Sequence, residues 1–412
     1  MYIYRTIHNQ ISNHLKKKEY TIITGPRQCG KTSLIKALSN EHTKQGEIVS
    51  YVSFEDPTIL SAINKHPEEV FSFAVRPANG GSKDKKRIYL FIDEVQYAAN
   101  PSNFLKYLYD TYEEKLKVIA TGSSAFYIDS KFKDSLAGRK RIFELRTLDF
   151  NEWLLFNGFS QLNKELENIR TQKDYFSSVS KELLDNFNNY LIYGGYPAVV
   201  LEDDIQEKIY MLNEIKSSFL KRDIQESGIS SIEKSYNLLA ILAQQPGNLV
   251  NKNELANTIG VDNKTIEKYL LVLQKSFHIS LLRPFYSNIR KEITKMPKVY
   301  FNDSGMINTI LNRFYDFNIR EDKGALFENY IYRRLSSVYD SSNIKFWRTT
   351  DKKEIDFVIT TSFNEGLAYE AKVSCRDIKK SVLGKFTDAY PNYPVNTVSY
   401  NISENCKWVF KI

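Results

Sequence analysis

Gly25-Pro-Arg-Gln-Cys-Gly-Lys-Thr32 fits the pattern G-x-x-x-x-G-K-[ST] of a phosphate-binding loop. Its flanks supply the context the motif requires. Tyr20-Thr-Ile-Ile-Thr24 is a β-branched run that reads as a buried strand, and Ser33-Leu-Ile-Lys-Ala-Leu38 has helical apolar spacing. In this strand–loop–helix arrangement, glycines let successive backbone N–H groups converge on phosphate oxygens. The expected nucleotide-binding stretch is Gly25, Pro26, Arg27, Gln28, Cys29, Gly30, Lys31, Thr32 and Ser33. Within it Lys31 reaches the β/γ-phosphates and Thr32 holds Mg²⁺.

The strands that follow fit a nucleotide domain. Ile48–Phe54 reads as a second strand, and residues 75–86 as a Pro/Gly/Lys-rich loop. Ile88-Tyr-Leu-Phe-Ile-Asp93-Glu94 is an apolar strand ending in two acids. Asp93 is placed to hold the magnesium shell, and Glu94 to act as the base that polarises the attacking water. Leu116–Thr121 is expected between the loop strand and the acidic strand. Its polar end, Thr121 to Ser124, then faces the γ-phosphate, where Thr121 or Ser123 senses its presence. Ser135-Leu-Ala-Gly-Arg139 precedes a fifth strand, Arg141–Leu145. Arg139 is read as an arginine finger, in cis or from a neighbouring subunit, or as a surface arginine capping a helix. Alternating strands and helices imply a parallel sheet covered on both faces.

At 412 residues, the chain is long enough for two or three domains, with 42% hydrophobic and 26% charged residues. A net charge of +8 permits a nucleic-acid partner without requiring one. Basic runs such as Lys16–Lys18 and Lys83–Arg87 read as solvated loops. Three cysteines (Cys29, Cys375 and Cys406) with no C-x-x-C pair argue against a disulfide framework or zinc site, and fit a reducing cytoplasm. The N-terminus lacks an apolar signal core, and no run is long enough to span a bilayer. The expectation is a soluble, cytoplasmic protein with no membrane partner.

Residues 156–235 read as largely helical, interrupted by Leu191-Ile-Tyr-Gly-Gly-Tyr-Pro197. As a lid, this segment places Pro197 near the base and ribose; as plain bundle punctuation, it does not. Arg222 is a second arginine for a phosphate or an interface. From Asn237, the apolar positions Leu255, Ala256, Ile259, Val261, Ile266, Leu270 and Leu273 outline a helix-turn-helix with Gly260 in its turn. Lys264, Thr265 and Lys268 then lie on the exposed face of the second helix. Ile279–Pro284 and Lys298–Phe301 read as wing strands. Such a unit either reads DNA or packs against the nucleotide domain.

In the last third, Gly324–Leu335 is an amphipathic helix carrying Glu328. Glu354–Thr360 and Leu367–Val373 form a hairpin around Asn364–Gly366. Strand periodicity puts Glu370 and Lys372 on one face. With Asp356 in register, two carboxylates and a lysine converge, Glu328 adding a third carboxylate. That set is read as a nuclease-type site suited to divalent-metal phosphodiester chemistry; the alternative is a network of surface salt bridges.

Together these residues resemble a prokaryotic family of AAA-type ATPases, of the STAND and archaeal-ATPase kind, fused to a restriction-endonuclease-like domain. The matching stretches are Gly25–Thr32, Phe91–Gln96, Thr121–Ser124, Ser135–Arg139, Gly194–Pro197, Lys298–Asp303, Glu354–Val358 and Glu370–Lys372. The resemblance implies an α/β fold in four parts: a P-loop (ASCE/AAA-type) parallel sheet at 1–155, a helical lid at 156–235, a winged helix-turn-helix at 236–315 and a PD-(D/E)-x-K nuclease-like domain at 316–412. Asp356, Glu370 and Lys372 match the nuclease motif, and Ile355 replaces its proline. The implied function is an ATP- and Mg²⁺-dependent switch coupled to a nucleic-acid-directed effector, with DNA favoured, in defence or mobile-element control. The alternative is a regulatory ATPase whose inert nuclease fold binds DNA or protein. A homo-oligomer or a protein partner is compatible with both.

Overall fold

The computed structural model describes residues 2–77, 86–123, 136–172, 175–224, 227–229, 231–286 and 288–412. Ser124, Ser135 and residues 78–85 of the Pro/Gly/Lys-rich loop, all singled out above, lie outside the described residues. The chain divides into two compact units: Met1–Thr147 with Lys275–Phe277, and Leu148–Gln274 with His278–Ile412.

The first unit is built on β1 (Tyr20–Thr24), β2 (Ile48–Ser53), β3 (Ile88–Asp93), β4 (Leu116–Gly122) and β5 (Lys140–Glu144), in the order β2-β3-β4-β1-β5. Every ladder is parallel. β4 lies between the loop strand β1 and the acidic strand β3, pairing Thr121 with Ile23. The three central strands are buried along their whole length, which is why they read as unbroken apolar runs. Successive residues serve opposite faces. Ile22, Leu90, Ile92 and Val118 join a core with the helices Pro57–Lys65 and Pro101–Tyr112. Ile23, Phe91 and Ile119 join another with His8–Leu15 and Lys31–Lys44.

The second unit begins with helices Phe150–Phe156, Ser160–Thr171, Ser180–Tyr193 and Ile205–Phe219. Three more helices, Ile232–Gln244, Lys252–Ile259 and Asn263–Lys275, are followed by the antiparallel pair β6 (Ile279–Leu282) and β7 (Lys298–Phe301). Gly260 ends the middle helix at φ 70°, a left-handed conformation that glycine adopts without strain. A mixed sheet closes the unit: β8 (Ile344–Arg348), β9 (Glu354–Ser362), β10 (Glu365–Lys372), β11 (Val395–Ser399) and β12 (Lys407–Trp408), ordered β12-β11-β10-β9-β8. Here β8, β9 and β10 pair antiparallel, while β10, β11 and β12 pair parallel.

One apolar core runs from Leu148 to Phe410. Phe150 stacks on Phe410 with centroids 5.5 Å apart, and Phe187 meets Tyr330 edge-on at 4.6 Å. The helices after residue 147 therefore share their core with the C-terminal sheet. No helix among the described residues is long and apolar enough to cross a membrane.

One expectation is corrected. Cys375 and Cys406 form a disulfide with Cα atoms 6.0 Å apart, 31 residues apart in sequence. The odd cysteine count hid this, because the unpaired Cys29 is buried in the first unit. The count therefore carries no argument for a reducing compartment.

Candidate functional site

At the end of β1 the chain turns through Gly25, where φ is 154° and an added Cβ would sit 1.9 Å from Leu145 O. Only glycine fits this close approach. Gly30, at φ 96°, delivers the chain into the helix that starts at Lys31, so that helix's first N–H groups face the loop. The Lys31 ammonium, buried, donates to Gly25 O at 3.0 Å and Pro26 O at 2.8 Å. Thr32 is partly exposed beside it, and Ser33 and Gln28 are exposed. Cys29 is packed inward, donating to Leu145 O at 3.2 Å, and burial pushes its thiol pKa up. It is a structural residue of the loop. Arg5 pins the loop by donating to Cys29 O at 2.9 Å and Arg146 O at 2.7 Å. Nothing in the sequence around Arg5 signals that role.

The same sheet edge carries the acids. Asp93 is the last residue of β3 and accepts from the Thr121 hydroxyl and, at 3.0 Å, from Tyr51 OH. Thr121 Oγ1 in turn accepts from the Glu94 N–H at 3.0 Å. Glu94 adopts a left-handed conformation (φ 55°, ψ 51°), costly for a non-glycine residue and typical of functional positions. Gln96 Nε2 donates to the Glu94 carboxylate and, at 2.8 Å, to Ser123 Oγ. Gln96 Oε1 is buried without a hydrogen-bond partner among the described residues. Glycine cradle, helix N-terminus, buried lysine and acidic strand end thus share the C-terminal edge of a parallel sheet, where such folds bind ligands. These residues fit a nucleoside triphosphate.

Arg139 lies at the other end. Its carbonyl accepts from Tyr20 N at 2.8 Å, at the start of β1. The five residues of β1 separate it from the loop by about 13 Å. Its guanidinium donates to Asp110 at 2.9 Å and lies over the Tyr109 ring. The cis-finger expectation is therefore corrected: strand direction carries Arg139 away from its own subunit's phosphate loop.

In the second unit, Pro197 opens the short helix Pro197–Val200. The Gly194-Gly195 turn before it is a packing lock. A Cβ on Gly194 (φ 75°) would fall 2.0 Å from Asp303 Oδ1, and Gly195 N donates to Asp303 Oδ2 at 2.9 Å. Asp303 also caps the helix Ser304–Leu311. Arg222 is exposed on a π-helical turn. Lys264 is exposed and Thr265 half-buried, while the Lys268 ammonium donates to Gly228 O at 2.6 Å.

The C-terminal residues converge on the hairpin. Asp356 Oδ2 accepts from Ala371 N at 2.9 Å and Lys372 Nζ at 3.0 Å, and Lys372 also pairs with Glu370 at 2.8 Å. Burial, reinforced by the charge of Asp356, pushes the Glu370 pKa up to about 7 against the pull of Lys372. Burial also raises the Glu328 pKa, again helped by Asp356. Sequence reading missed a second lysine here. Lys298 of β7 is buried, with Nζ 2.5 Å from Glu354, 3.1 Å from Glu328 and 3.9 Å from Asp356. Burial alone would lower its pKa, but the three carboxylates raise it and hold the ammonium charged. Glu354 is further paired with Arg348 at 2.7 Å, and Glu328 accepts from Tyr300 OH at 2.7 Å. Glu328, Asp356 and Glu370, expected as metal ligands, already have lysine partners. Among the described residues, no group of three or more His, Cys, Asp or Glu side chains could hold a metal ion.

With this geometry in view, three family models match: an AAA domain over residues 17–154, a domain of unknown function (DUF8612) over 184–316, and another (DUF4143) over 323–409. Residues 17–154 form an AAA-type P-loop domain. Outside this AAA domain the matches carry no assigned activity. An uncharacterized protein of Methanocaldococcus jannaschii is 26% identical over 363 residues, covering 86% of this chain and 75% of its own. One from Mycobacterium tuberculosis is 22% identical over 354 residues, covering 84% of this chain and 69% of its own. Among solved structures, the Aeropyrum pernix ORC2 protein in its ADPNP-ADP complexes aligns with a TM-score of 0.40 at 13% identity, over 76% of this chain and 94% of that one.

Proposed function

We propose that the protein is an ATP-binding and hydrolysing switch whose second unit acts on nucleic acid, DNA in preference. The observation that carries the ATPase part of this reading is the pairing of Glu94 with Thr121 and Gln96 at the sheet edge that also presents Lys31. Gly25 to Ser33 wrap the phosphates, Lys31 compensates their charge, and Glu94 orients and deprotonates the attacking water. Thr32 and Asp93 would hold Mg²⁺, which supplies charge neutralisation at the β/γ-phosphates. Thr121 reports the γ-phosphate by turning its single hydroxyl proton from Asp93 to a phosphate oxygen. Arg139 completes a neighbouring subunit's site, which makes a homo-oligomer the working form. The test is phosphate release by wild type, Lys31→Ala and Glu94→Gln, with nucleotide binding followed in parallel.

For the second unit, we read a helical lid, a winged helix presenting Lys264 and a restriction-endonuclease-like sheet, in a cytoplasmic protein. Pro197 as a contact to the base and ribose belongs to the same proposal. Two readings of the sheet remain. The meeting of Asp356, Glu370 and Lys372 favours a nuclease effector, as in defence or mobile-element control. The pairing of Lys298 with Glu328, Glu354 and Asp356 favours an inert fold that binds DNA or a protein. Nicking assays on plasmid, linear and single-stranded substrates, with and without ATP and Mg²⁺ or Mn²⁺, separate them.

A further inference from the structure

Lys298 stands where the carboxylates of an oxygen-ligand metal centre would hold their cation. Its Nζ is within salt-bridge distance of Glu328 from the helix Lys323–Val338, and of Glu354 and Asp356 from β9. The side chain is only 2% exposed and belongs to a strand otherwise composed of Val299, Tyr300 and Phe301. A lysine among such neighbours is stable only if its charge is matched. Glu328 in turn is enclosed: Tyr300 OH donates to it, and Gly247, at φ 83°, passes so close that a Cβ there would lie 2.7 Å from its Oε1. On the far side of Asp356, Lys372 bridges to Glu370. A divalent ion would have to displace an ammonium that the three carboxylates already neutralise.

We infer that Lys298 is a built-in replacement for a divalent cation, so that this cluster holds the C-terminal fold together without metal and carries no metal-dependent phosphodiester cleavage. The inference stands on the ion-pair geometry and is independent of the ATPase reading. It also assigns the cluster a latent property. With the ammonium removed, Glu328, Glu354 and Asp356 become three hard oxygen donors facing one space, a set suited to Mn²⁺ or Mg²⁺.

The experiment is an Mn²⁺ titration of the full chain without nucleotide, with free Mn²⁺ followed by paramagnetic resonance. It is run on wild type, Lys298→Ala and Lys298→Met, each with and without Asp356→Asn. Only binding that Asp356→Asn abolishes is assigned to the cluster. Wild type is expected to show none at millimolar Mn²⁺. The Lys298 variants are expected to gain such binding, tighter by about tenfold or more than the limit the wild-type titration sets, with a melting temperature that rises on adding Mn²⁺ because the ion binds only the folded state. Asp356-dependent Mn²⁺ binding by wild type overturns the inference, as does a folded Lys298 variant that takes up no Mn²⁺. If neither variant folds, the wild-type titration decides alone: no Asp356-dependent binding upholds the inference, and binding ends it.

Discussion

The backbone N–H of Glu94 donates to the Thr121 hydroxyl at 3.0 Å, and the same hydroxyl donates to Asp93. One side chain on β4 thus fixes both acids at the end of β3. Thr121→Val keeps the shape and removes both hydrogen bonds. The expected result is a fall in kcat of about 10- to 100-fold with nucleotide affinity changed far less, since a mispositioned base costs rate rather than binding. Steady-state kinetics beside equilibrium nucleotide titration checks it.

Gln96 holds the Glu94 carboxylate from the other side while anchored to Ser123. Gln96→Ala should lower kcat by about tenfold, and Gln96→Glu should lower it further by placing a second carboxylate against Glu94. An unchanged kcat in both variants would make Gln96 a packing residue.

The AAA domain should gain stability as pH rises from acid to mildly alkaline values. Burial depresses the Lys117 pKa to about 7 from its usual 10.5, and Arg87 adds to the shift. Burial also depresses His14 to about 4 from 6.5, with Lys117 adding to it. Both groups bind protons more readily when unfolded, so their destabilisation is full at low pH. It is relieved from pH 4 to 6.5 for His14 and from pH 7 to 10.5 for Lys117. Denaturant midpoints should rise across the lower window and from pH 7 to about 9. Above that, the raised pKa values of the buried Cys29 thiol and of Tyr20 and Tyr51 act in the opposite direction. Lys117→Met should flatten the rise that starts at pH 7.

Gly194→Ala meets both a left-handed φ of 75° and the Asp303 carboxylate. The expected cost is about 2 kcal/mol or more in stability, read as a lower urea midpoint for the second unit. Gly46→Ala, where an added Cβ has open space, shares only the backbone strain and should cost less.

The phosphate loop, the acidic strand and the placement of β4 between them were legible because a strand buried on both faces leaves an uninterrupted apolar run, and the loop glycines sit at fixed offsets. The convergence of Asp356, Glu370 and Lys372 was legible for a similar reason, since strand period and hairpin turn set register. Lys298 was not. Its partners come from a helix and a strand 30 or more residues away, and a lysine at a strand's start ordinarily reads as exposed. Arg139 was legible in principle: it precedes β5, and in a parallel sheet that puts it at the edge opposite the loop that follows β1, in conflict with a cis finger. The merged core of Phe150, Phe187, Tyr330 and Phe410 escaped for want of any local signal.

If the second unit binds nucleic acid through the helix Asn263–Lys275, affinity should fall steeply with salt. Lys264→Ala should reduce the slope of log affinity against log salt by about one unit. Lys268→Ala should change it less, because that ammonium already donates to Gly228 O. Fluorescence anisotropy with labelled duplex DNA across a salt series reads both slopes.

Single-turnover hydrolysis of radiolabelled ATP separates Glu94 as the base of the AAA domain from Glu94 as a bystander. Wild type should release phosphate, and Lys31→Ala should lose binding or turnover. Glu94→Gln should bind ATP with near wild-type affinity while hydrolysing it at least about 100-fold more slowly, so that uncleaved ATP stays on the protein. Hydrolysis by Glu94→Gln at the wild-type rate would contradict the assignment.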